Sequence, residues 1–375
     1  MIYLNENISE IVIKVGSSSL SNENGIDEDK IRNIVEQVST LKKVGKDIVI
    51  VSSGAIAAGM AELGYKKKPS LLIEKQACAA IGQGLLISTY NKHFNENNLK
   101  CAQILITGED FANRRRYLNA YNTINQLLKF NIIPIINEND TTATLEIKFG
   151  DNDVLSAQVA SLIEADLLII LSDVSGLLKN LNDPNSIIRV VEEVNLEIEN
   201  LANGKAGKLG TGGMNSKIKA AKISLSAGIP MVIAPSYEKD VIIRVIDSIE
   251  SNMFNIGTTF IPKGKKLSKR KRWINFSLKP KGEVIVDEGA QKALLSGKSL
   301  LAVGINEVKG VFIAGDLVRI LNEKRENIGK GLVNYSSEEI KLIIGKKTEE
   351  IHLFNEKFGP EEIIHRDNMV IEKEF

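Results

Sequence analysis

The chain has 375 residues and a formal net charge of +1, with 43% hydrophobic and 25% charged residues. This length exceeds that of most single domains, so two domains are expected, and the balanced charge gives no general attraction to nucleic acid or membranes. The two cysteines, Cys78 and Cys101, are too few for a disulfide framework and lack metal-ligand spacing. No stretch has the pattern of a signal peptide or a membrane span, so a cytoplasmic protein without a membrane partner is predicted.

From residue 11 to about residue 260, apolar runs alternate with segments of helical pattern. The runs are mostly β-branched, and their spacing leaves room for helices between successive strands. This alternation predicts a three-layer α/β/α domain with a mostly parallel central sheet. The predicted strands are 11–15, 47–51, 102–107, 132–137, 166–171 and 230–234. The predicted helices are 27–44, 71–91, 113–129, 154–164 and 215–227.

The pattern changes after Phe260. Between Lys263 and Gly282 there are nine lysine and arginine residues and no acidic residue. Short alternating runs separated by glycine follow, at 283–286, 301–303, 310–312, 316–321 and 328–333. Strands of this length and spacing predict a small β-rich domain, and we interpret the basic segment as a hydrated boundary near residues 265–273.

Two clusters of carboxylate and amide side chains lie between a predicted strand and a predicted helix. The first is Asn137-Glu138-Asn139-Asp140, and the second is Gly150-Asp151-Asn152-Asp153. Ligands of open α/β sheets bind at the carboxyl ends of strands. Short acidic and amide side chains at that position suit an ammonium group, a metal ion or lysines that need orienting. Each cluster alone also fits an Asn/Asp turn with a helix cap.

Three loops of small residues are candidate anion sites. Lys14 ends the first strand before Gly16 and three serines, whose N–H groups can approach an anion, although a snorkelling lysine is the alternative. The segment VSSGAIAAG offers the Ser53 hydroxyl, and its glycines equally fit close helix packing. The segment LGTGGMNSK has glycines before a helix and Lys217 about one turn inside, with a flexible surface loop as the alternative.

The fifth strand ends in the turn SDVSG. This turn could hold the sugar or base of a nucleotide, or it could be a simple turn without a ligand.

Together, the motifs provide two lysines on phosphate-type loops and a carboxylate–amide cluster, without a candidate general base. This combination fits phosphoryl transfer to an acceptor that is already nucleophilic, above all a carboxylate. Such a reaction needs positioning and charge neutralisation, but no proton has to be removed.

Nearly the whole chain resembles the amino acid kinase superfamily and, within it, the glutamate 5-kinases. The matching segments are IVIKVGSSSL, VSSGAIAAGM, KQACAAIGQG, NRRRYLNAYNT, PIINENDTTAT, FGDNDVLSAQVA, LSDVSGL, GTGGMNSKIKAA and IGTTF, in this order. The tail that begins KRKRWINFSLKPKGEV resembles the PUA domain of many bacterial glutamate 5-kinases. The resemblance implies an amino acid kinase domain at 1–262, a basic linker at 263–275, a PUA-like barrel at 276–360 and a tail at 361–375.

The resemblance implies that ATP, with Mg²⁺, phosphorylates L-glutamate to L-glutamyl 5-phosphate, the first step of proline synthesis. By position, it assigns phosphate stabilisation to Lys14 and Lys217, and Asp153 is our choice for the aspartate that orients them, with Asp151 as its rival. Glutamate binding is assigned to Ser53, Asp140 and Asn152. ATP binding is assigned to Lys14, Ser172, Asp173, Thr211, Gly212, Gly213, Met214, Asn215, Ser216 and Lys217, and no metal ligand is assigned.

The resemblance further implies inhibition by proline, assembly as a dimer or tetramer, and glutamyl phosphate reductase as a partner. Two alternatives stay open. One is another kinase of the superfamily that acts on aspartate, acetylglutamate, carbamate or a nucleotide, although the two acidic clusters argue against it. The other is an RNA-binding regulatory protein, because PUA domains elsewhere bind RNA and nine basic residues could neutralise several phosphates. Against RNA binding, a basic linker is more often a solvated tether.

Overall fold

The computed structural model describes residues 8–22, 25–142, 152–203, 213–263, 267–346 and 360–371. The chain divides into two compact units, Met1–Lys265 and Lys266–Phe375. Within the described ranges, no helix combines the length and the apolar character that a bilayer crossing requires.

The first unit is built on a large central sheet. Its described strands are β1 (Glu10–Val15), β2 (Ser21–Asn22), β3 (Gly25–Ile26), β4 (Asp47–Ser52), β5 (Lys100–Ile106), β6 (Ile132–Glu138), β7 (Leu167–Ser172), β8 (Val190–Val191), β9 (Met231–Pro235) and β10 (Thr258–Phe260). Eight of them form one sheet in the order β5-β6-β4-β1-β7-β9-β10-β8, and β2 pairs with β3 in a hairpin. β10 is antiparallel to β9, and the other pairs of the large sheet are parallel. The predicted, mostly parallel sheet is confirmed.

Helices cover this sheet. They are α1 (Glu28–Lys43), α2 (Ala55–Glu62), α3 (Leu72–Glu96), α4 (Gly108–Ala112), α5 (Arg114–Lys129), α6 (Asn152–Ile163), α7 (Leu196–Asn203), α8 (Met214–Ser226) and α9 (Val241–Glu250). α1 illustrates how the sequence determines them, because Asp27 accepts a bond from the Lys30 N–H at 3.2 Å and caps the helix start. Ile31, Val35 and Val38 then recur at helical spacing and are fully buried.

β1 lies at the middle of the sheet, between β4 and β7. The chain places β4, β5 and β6 on one side of β1 and then adds β7 and β9 on the other side. Such a reversal leaves a crevice at the carboxyl ends of the strands beside β1, where ligands of these sheets bind. Lys14, Ser53, Asn137 and Ser172 lie at or just beyond these strand ends. The topology therefore brings the separate sequence motifs to one edge.

Two glycines allow α2 and α3 to pack with their backbones in contact. A Cβ atom on Gly82 would lie 1.7 Å from the carbonyl oxygen of Ala55, and one on Gly59 would lie 1.9 Å from that of Cys78. A side chain at either position would require a helix to move. Of the glycines in the segment VSSGAIAAG, Gly59 therefore serves close helix packing. Gly54 has another role, because its φ of +100° lies in the left-handed region that favours glycine and starts α2.

The second unit is β-rich, as predicted. Its described strands are β11 (Gly282–Val286), β12 (Leu300–Leu301), β13 (Ile305–Gly310), β14 (Leu317–Leu321), β15 (Asn327–Leu332), β16 (Glu362–Ile364) and β17 (Met369–Ile371). Five of them form a sheet in the order β13-β11-β14-β15-β17, in which β11 is parallel to β14. Its described helices are α10 (Lys269–Phe276), α11 (Glu288–Leu295) and α12 (Ser337–Ile343).

Two predicted strands of this unit differ from the structure. The strand expected at 310–312 is present only at Gly310, because the chain turns there with a φ of +88°. Phe312 instead packs into the core, and its carbonyl oxygen accepts a bond from the Ser337 N–H at 2.9 Å. The strand expected at 301–303 reaches only Leu301, because residues 302–304 form a 3-10 turn.

The basic segment also differs from the expected hydrated linker. From Leu267 onward it packs on the second unit, and residues 269–276 form α10, capped by the Ser268 side chain. Ile274 is fully buried in a cluster with Leu317, and Arg272 is only 2% exposed. The many charged residues around these two positions indicated a solvated segment, but the segment forms a helix with one buried face. We keep the predicted bounds of the two domains as a proposal, except that α10, predicted as part of the linker, is assigned to the second domain.

The close approach of α2 and α3 generates a stability prediction. We expect Gly82→Ala to lower the free energy of unfolding of the first unit by about 3 kcal/mol or more, because the new methyl group overpacks a backbone contact. Gly84→Ala in the same helix is the matched control, since a Cβ there meets nothing within 4 Å and alanine favours the helix. Calorimetric unfolding of both variants tests this, and equal stability of the two would contradict it.

Candidate active site

Three buried charged side chains meet at the centre of the crevice. The Lys14 Nζ atom lies 2.6 Å from Asp153 Oδ1, and the Lys217 Nζ atom lies 3.1 Å from Asp153 Oδ2. Ser216 Oγ donates a hydrogen bond to the same Oδ2 at 2.7 Å. Lys14 is 5% exposed, Lys217 is 6% exposed and Asp153 is fully buried. One carboxylate thus orients two ammonium groups that are 203 positions apart in the chain.

The three charges come from three different elements. Lys14 is the next-to-last residue of β1, which is hydrogen-bonded on both sides and is therefore rigid. Asp153 lies in the first turn of α6, where the helix dipole favours a negative charge. Lys217 lies in the first turn of α8, which begins after Gly213. Because α6 is buried along almost its whole length, the position of Asp153 is held by the core.

The electrostatics of Asp153 follow from this arrangement. Burial raises the pKa of the Asp153 carboxyl, because a charge is costly away from water. The adjacent ammonium groups of Lys14 and Lys217, together with the bonds from Lys14 and Ser216, outweigh that effect. The pKa of Asp153 is therefore lower than its ordinary value, and the ionised form is favoured in the folded protein.

A second, polar cluster lies at the ends of β4 and β6. The Asn152 Nδ2 atom donates to Ser52 O at 3.0 Å, to Ser53 Oγ at 2.8 Å and to Asn137 Oδ1 at 2.9 Å. The Ser53 N–H in turn bonds to Val15 O at 3.0 Å, which ties this cluster to the end of β1. Asn152 directly precedes Asp153, so the polar cluster and the charged cluster share the start of α6.

The other predicted residues are less closely connected. Asp140 lies in the turn after β6, and its N–H bonds to Glu138 O at 2.9 Å. Ser172 ends β7, next to β1, and its hydroxyl donates to Asp173 Oδ1 at 3.2 Å. Ser236, at the end of β9, donates its N–H to Ser172 O at 2.7 Å. These residues lie at the carboxyl ends of β6, β7 and β9, at the same edge of the sheet as the charged cluster.

Part of the predicted ATP loop can be located. Gly213 caps α8, and Met214, Asn215 and Ser216 form its first turn, at the same edge as Lys217. Thr211, Gly212 and Asp151 lie outside the described residues. Among the residues that are described, no group of three or more His, Cys, Asp or Glu side chains is arranged to hold a metal ion.

Sequence reasoning did not assign a site role to Asn137, which is 3% exposed and joins the polar cluster. The sequence feature that pointed to Asn137 is its place as the first residue of the run NEND, immediately after a buried strand. Ser216 was assigned only to the ATP loop, yet its hydroxyl contacts Asp153. That contact spans 63 positions and has no local sequence signal.

Comparisons with known proteins place the chain in a family. Residues 9–235 match the model of the amino acid kinase family, and residues 282–354 match that of the PUA domain. A protein of Thermoanaerobacter sp. (strain X514), named glutamate 5-kinase, is 47% identical over 96% of this chain and 97% of its own length. The chain belongs to the amino acid kinase family and, within it, to the glutamate 5-kinases.

A second relative is similar over nearly the whole of both chains. The glutamate 5-kinase of Carboxydothermus hydrogenoformans is 47% identical over 98% of each chain. Among solved structures, the carbamate kinase from Giardia lamblia bound to AMP-PNP is 18% identical, with a TM-score of 0.46 over 69% of this chain and 100% of that chain.

The position of Lys217 in this member of the family generates a kinetic prediction. We assign the Lys217 ammonium group to the transferring phosphoryl group, where a preorganised charge stabilises mainly the transition state, and we therefore expect Lys217→Ala to lower kcat by about 100-fold or more. Lys219→Ala is the matched control, since Lys219 lies on the same helix but is exposed. Steady-state kinetics of both folded variants test the role, and a kcat within a few-fold of wild type for Lys217→Ala would exclude it.

The lowered pKa of Asp153 generates a prediction about pH. Because its folded-state pKa lies below the unfolded value of about 3.9, its contribution to stability is present above that pH and is lost as pH falls through the folded-state pKa. We therefore expect the difference in Tm between wild type and Asp153→Asn to be constant from about pH 8 to pH 5 and to shrink in more acidic solution.

The control for this pH series is Asp247→Asn, which changes an exposed carboxylate of α9. Its Tm should follow that of wild type throughout. A gap between wild type and Asp153→Asn that widens toward acid would mean that the Asp153 carboxyl is protonated in the folded protein.

Proposed function

We propose that the chain transfers the γ-phosphoryl group of ATP to the side-chain carboxylate of L-glutamate. The products are ADP and L-glutamyl 5-phosphate, and the reaction is the first step of L-proline biosynthesis. The observation that carries this proposal is the buried Lys14–Asp153–Lys217 cluster in a chain of the glutamate 5-kinase family.

The chemistry requires no general base. A glutamate carboxylate oxygen attacks the γ-phosphorus, and the bond from that phosphorus to the β,γ-bridging oxygen breaks, so that ADP leaves with the electron pair. Since no proton is removed, catalysis consists of alignment and charge neutralisation. In our proposal, Lys14 and Lys217 neutralise the transferring group and the leaving diphosphate, and Asp153 holds both ammonium groups in position.

We assign glutamate binding to Ser53, Asp140 and Asn152. The short contact between Asn152 and Ser53 supports a common pocket, and Asp140 supplies a carboxylate for the substrate ammonium group. We assign ATP binding to Ser172, Asp173 and the loop that ends at Lys217, with Thr211 and Gly212 carried over from the family motif. Mg²⁺ enters with ATP as part of the substrate and neutralises phosphate charge.

Regulation and partners are part of the same proposal. We propose inhibition by proline near the glutamate pocket, assembly as a dimer or tetramer, transfer of the product to a glutamyl phosphate reductase, and a cytoplasmic location in which Cys78 and Cys101 stay reduced. We do not propose RNA binding, because the comparisons indicate an amino acid kinase, and Arg272, one of the nine basic residues counted toward phosphate contacts, is buried.

The test of the function is ADP release by the purified chain with ATP and L-glutamate, compared with L-aspartate, N-acetylglutamate, carbamate and UMP. We expect release with L-glutamate alone among these acceptors, and its reduction by proline. Release that depends on another acceptor, or that does not depend on any, would overturn the proposed substrate.

The assignment of the glutamate pocket generates a further prediction. We expect Asp140→Ala and Asn152→Ala to raise the KM for glutamate by about ten-fold or more and to leave the KM for ATP within about two-fold. Asp247→Ala, on the surface of α9, is the control for loss of a carboxylate. If the KM values for both substrates rose equally, the two residues would have a general structural role.

A further inference from the structure

In the loop that follows Lys14, backbone carbonyl oxygens accept hydrogen bonds from other groups of the protein. Gly16 O accepts the Ser19 N–H at 3.1 Å. Ser17 O accepts the Leu20 N–H at 3.1 Å and the Ser21 hydroxyl at 2.7 Å. The loop therefore directs these oxygens to donors within the protein, although Ser17 and Ser18 are exposed and only Ser19 is buried.

A single side chain from another element holds two further carbonyls of this loop. Lys30 Nζ donates to Ser18 O at 3.1 Å and to Ser21 O at 2.9 Å. Lys30 lies in the first turn of α1, and its own N–H bonds to the capping residue Asp27 at 3.2 Å. Asp27 N–H in turn bonds to Leu20 O at 2.9 Å, so the helix start and the loop are joined at three carbonyls.

These contacts matter because the loop lies beside the proposed phosphate-binding lysine. A carbonyl oxygen that turned toward the ATP phosphates would repel them, whereas a bond to an ammonium group favours the orientation in which the carbonyl points away. A loop fixed before binding also avoids an ordering cost when the ligand arrives. The Lys30 Nζ atom also lies 4.0 Å from Asp27 Oδ2, so its charge is partly balanced locally and its role rests on the bonds to the two carbonyls.

We propose that Lys30 is a positioning residue of the kinase site. It holds the Ser18 and Ser21 carbonyls and thereby keeps the loop after Lys14 in the conformation that receives the ATP phosphates. This inference rests on the proposed function, since it assigns the loop to ATP. It predicts an effect on ATP and none on glutamate, whereas a purely structural contact would affect both substrates or only thermal stability.

The experiment compares Lys30→Met, Lys30→Gln and Lys30→Arg in the full chain. We expect kcat/KM for ATP to fall by about ten-fold in the methionine and glutamine variants, with the KM for glutamate within about two-fold of wild type. Arginine keeps the charge and can donate to two carbonyls, so Lys30→Arg should recover most of the loss. Lys43→Met, at the exposed far end of α1, is the matched control and should leave the kinetics unchanged.

Binding of a non-hydrolysable ATP analogue, measured by calorimetry without glutamate, separates this inference from the proposed function. Weaker binding by both Lys30→Met and Lys30→Gln supports the role of Lys30 whatever the acceptor is. Wild type that binds the analogue but releases no ADP with glutamate would overturn the proposed function alone. Unchanged analogue binding in either folded variant, or an equal loss in Lys43→Met, would overturn the role of Lys30.

Discussion

The site depends on a single buried carboxylate that binds two buried ammonium groups. Removing charges from water is expensive, and a buried ion pair often stabilises a protein no better than apolar side chains of similar size. The Lys14–Asp153–Lys217 cluster is therefore better understood as a device for placing charge than as a source of stability. Since its members come from β1, α6 and α8, it exists only when the sheet and both helices are correctly packed.

The central sheet could be predicted from the sequence because its strands carry strong local signals. The run from Ile132 is apolar and β-branched, ends in a polar cluster, and forms β6 as expected. α10 shows the limit of such reasoning. A run of consecutive basic residues indicated a solvated segment, but Arg272 lies under the surface and bonds to Leu267 O at 3.0 Å. Burial of one charged residue within such a run is decided by tertiary contacts that the local pattern does not contain.

The candidate site was predictable in part for a related reason. Lys14, Asp153 and Lys217 stand in motifs that mark strand ends and helix starts, so their residue types could be interpreted before the fold was known. Two other contacts had no such mark: Asn137 bonds to Asn152, and the Lys30 side chain bonds to the carbonyl of Ser21 in the loop after Lys14. Asparagine is an ordinary residue at the end of a strand, and lysine is ordinary near the start of a helix. Only the folded geometry distinguishes these two residues from capping or surface residues.

The central position of β1 has a consequence for how the chain acquires its structure. β1 is made long before one of its neighbours, β7, and the Glu10 N–H bonds to Asp166 Oδ2 across 156 positions. Contacts this distant in sequence slow folding, because a long loop must close before they form. During synthesis, β4 can pair with one side of this apolar strand early, but the other side has no partner until β7 has been made. An unpaired apolar strand edge is a site for aggregation during that interval.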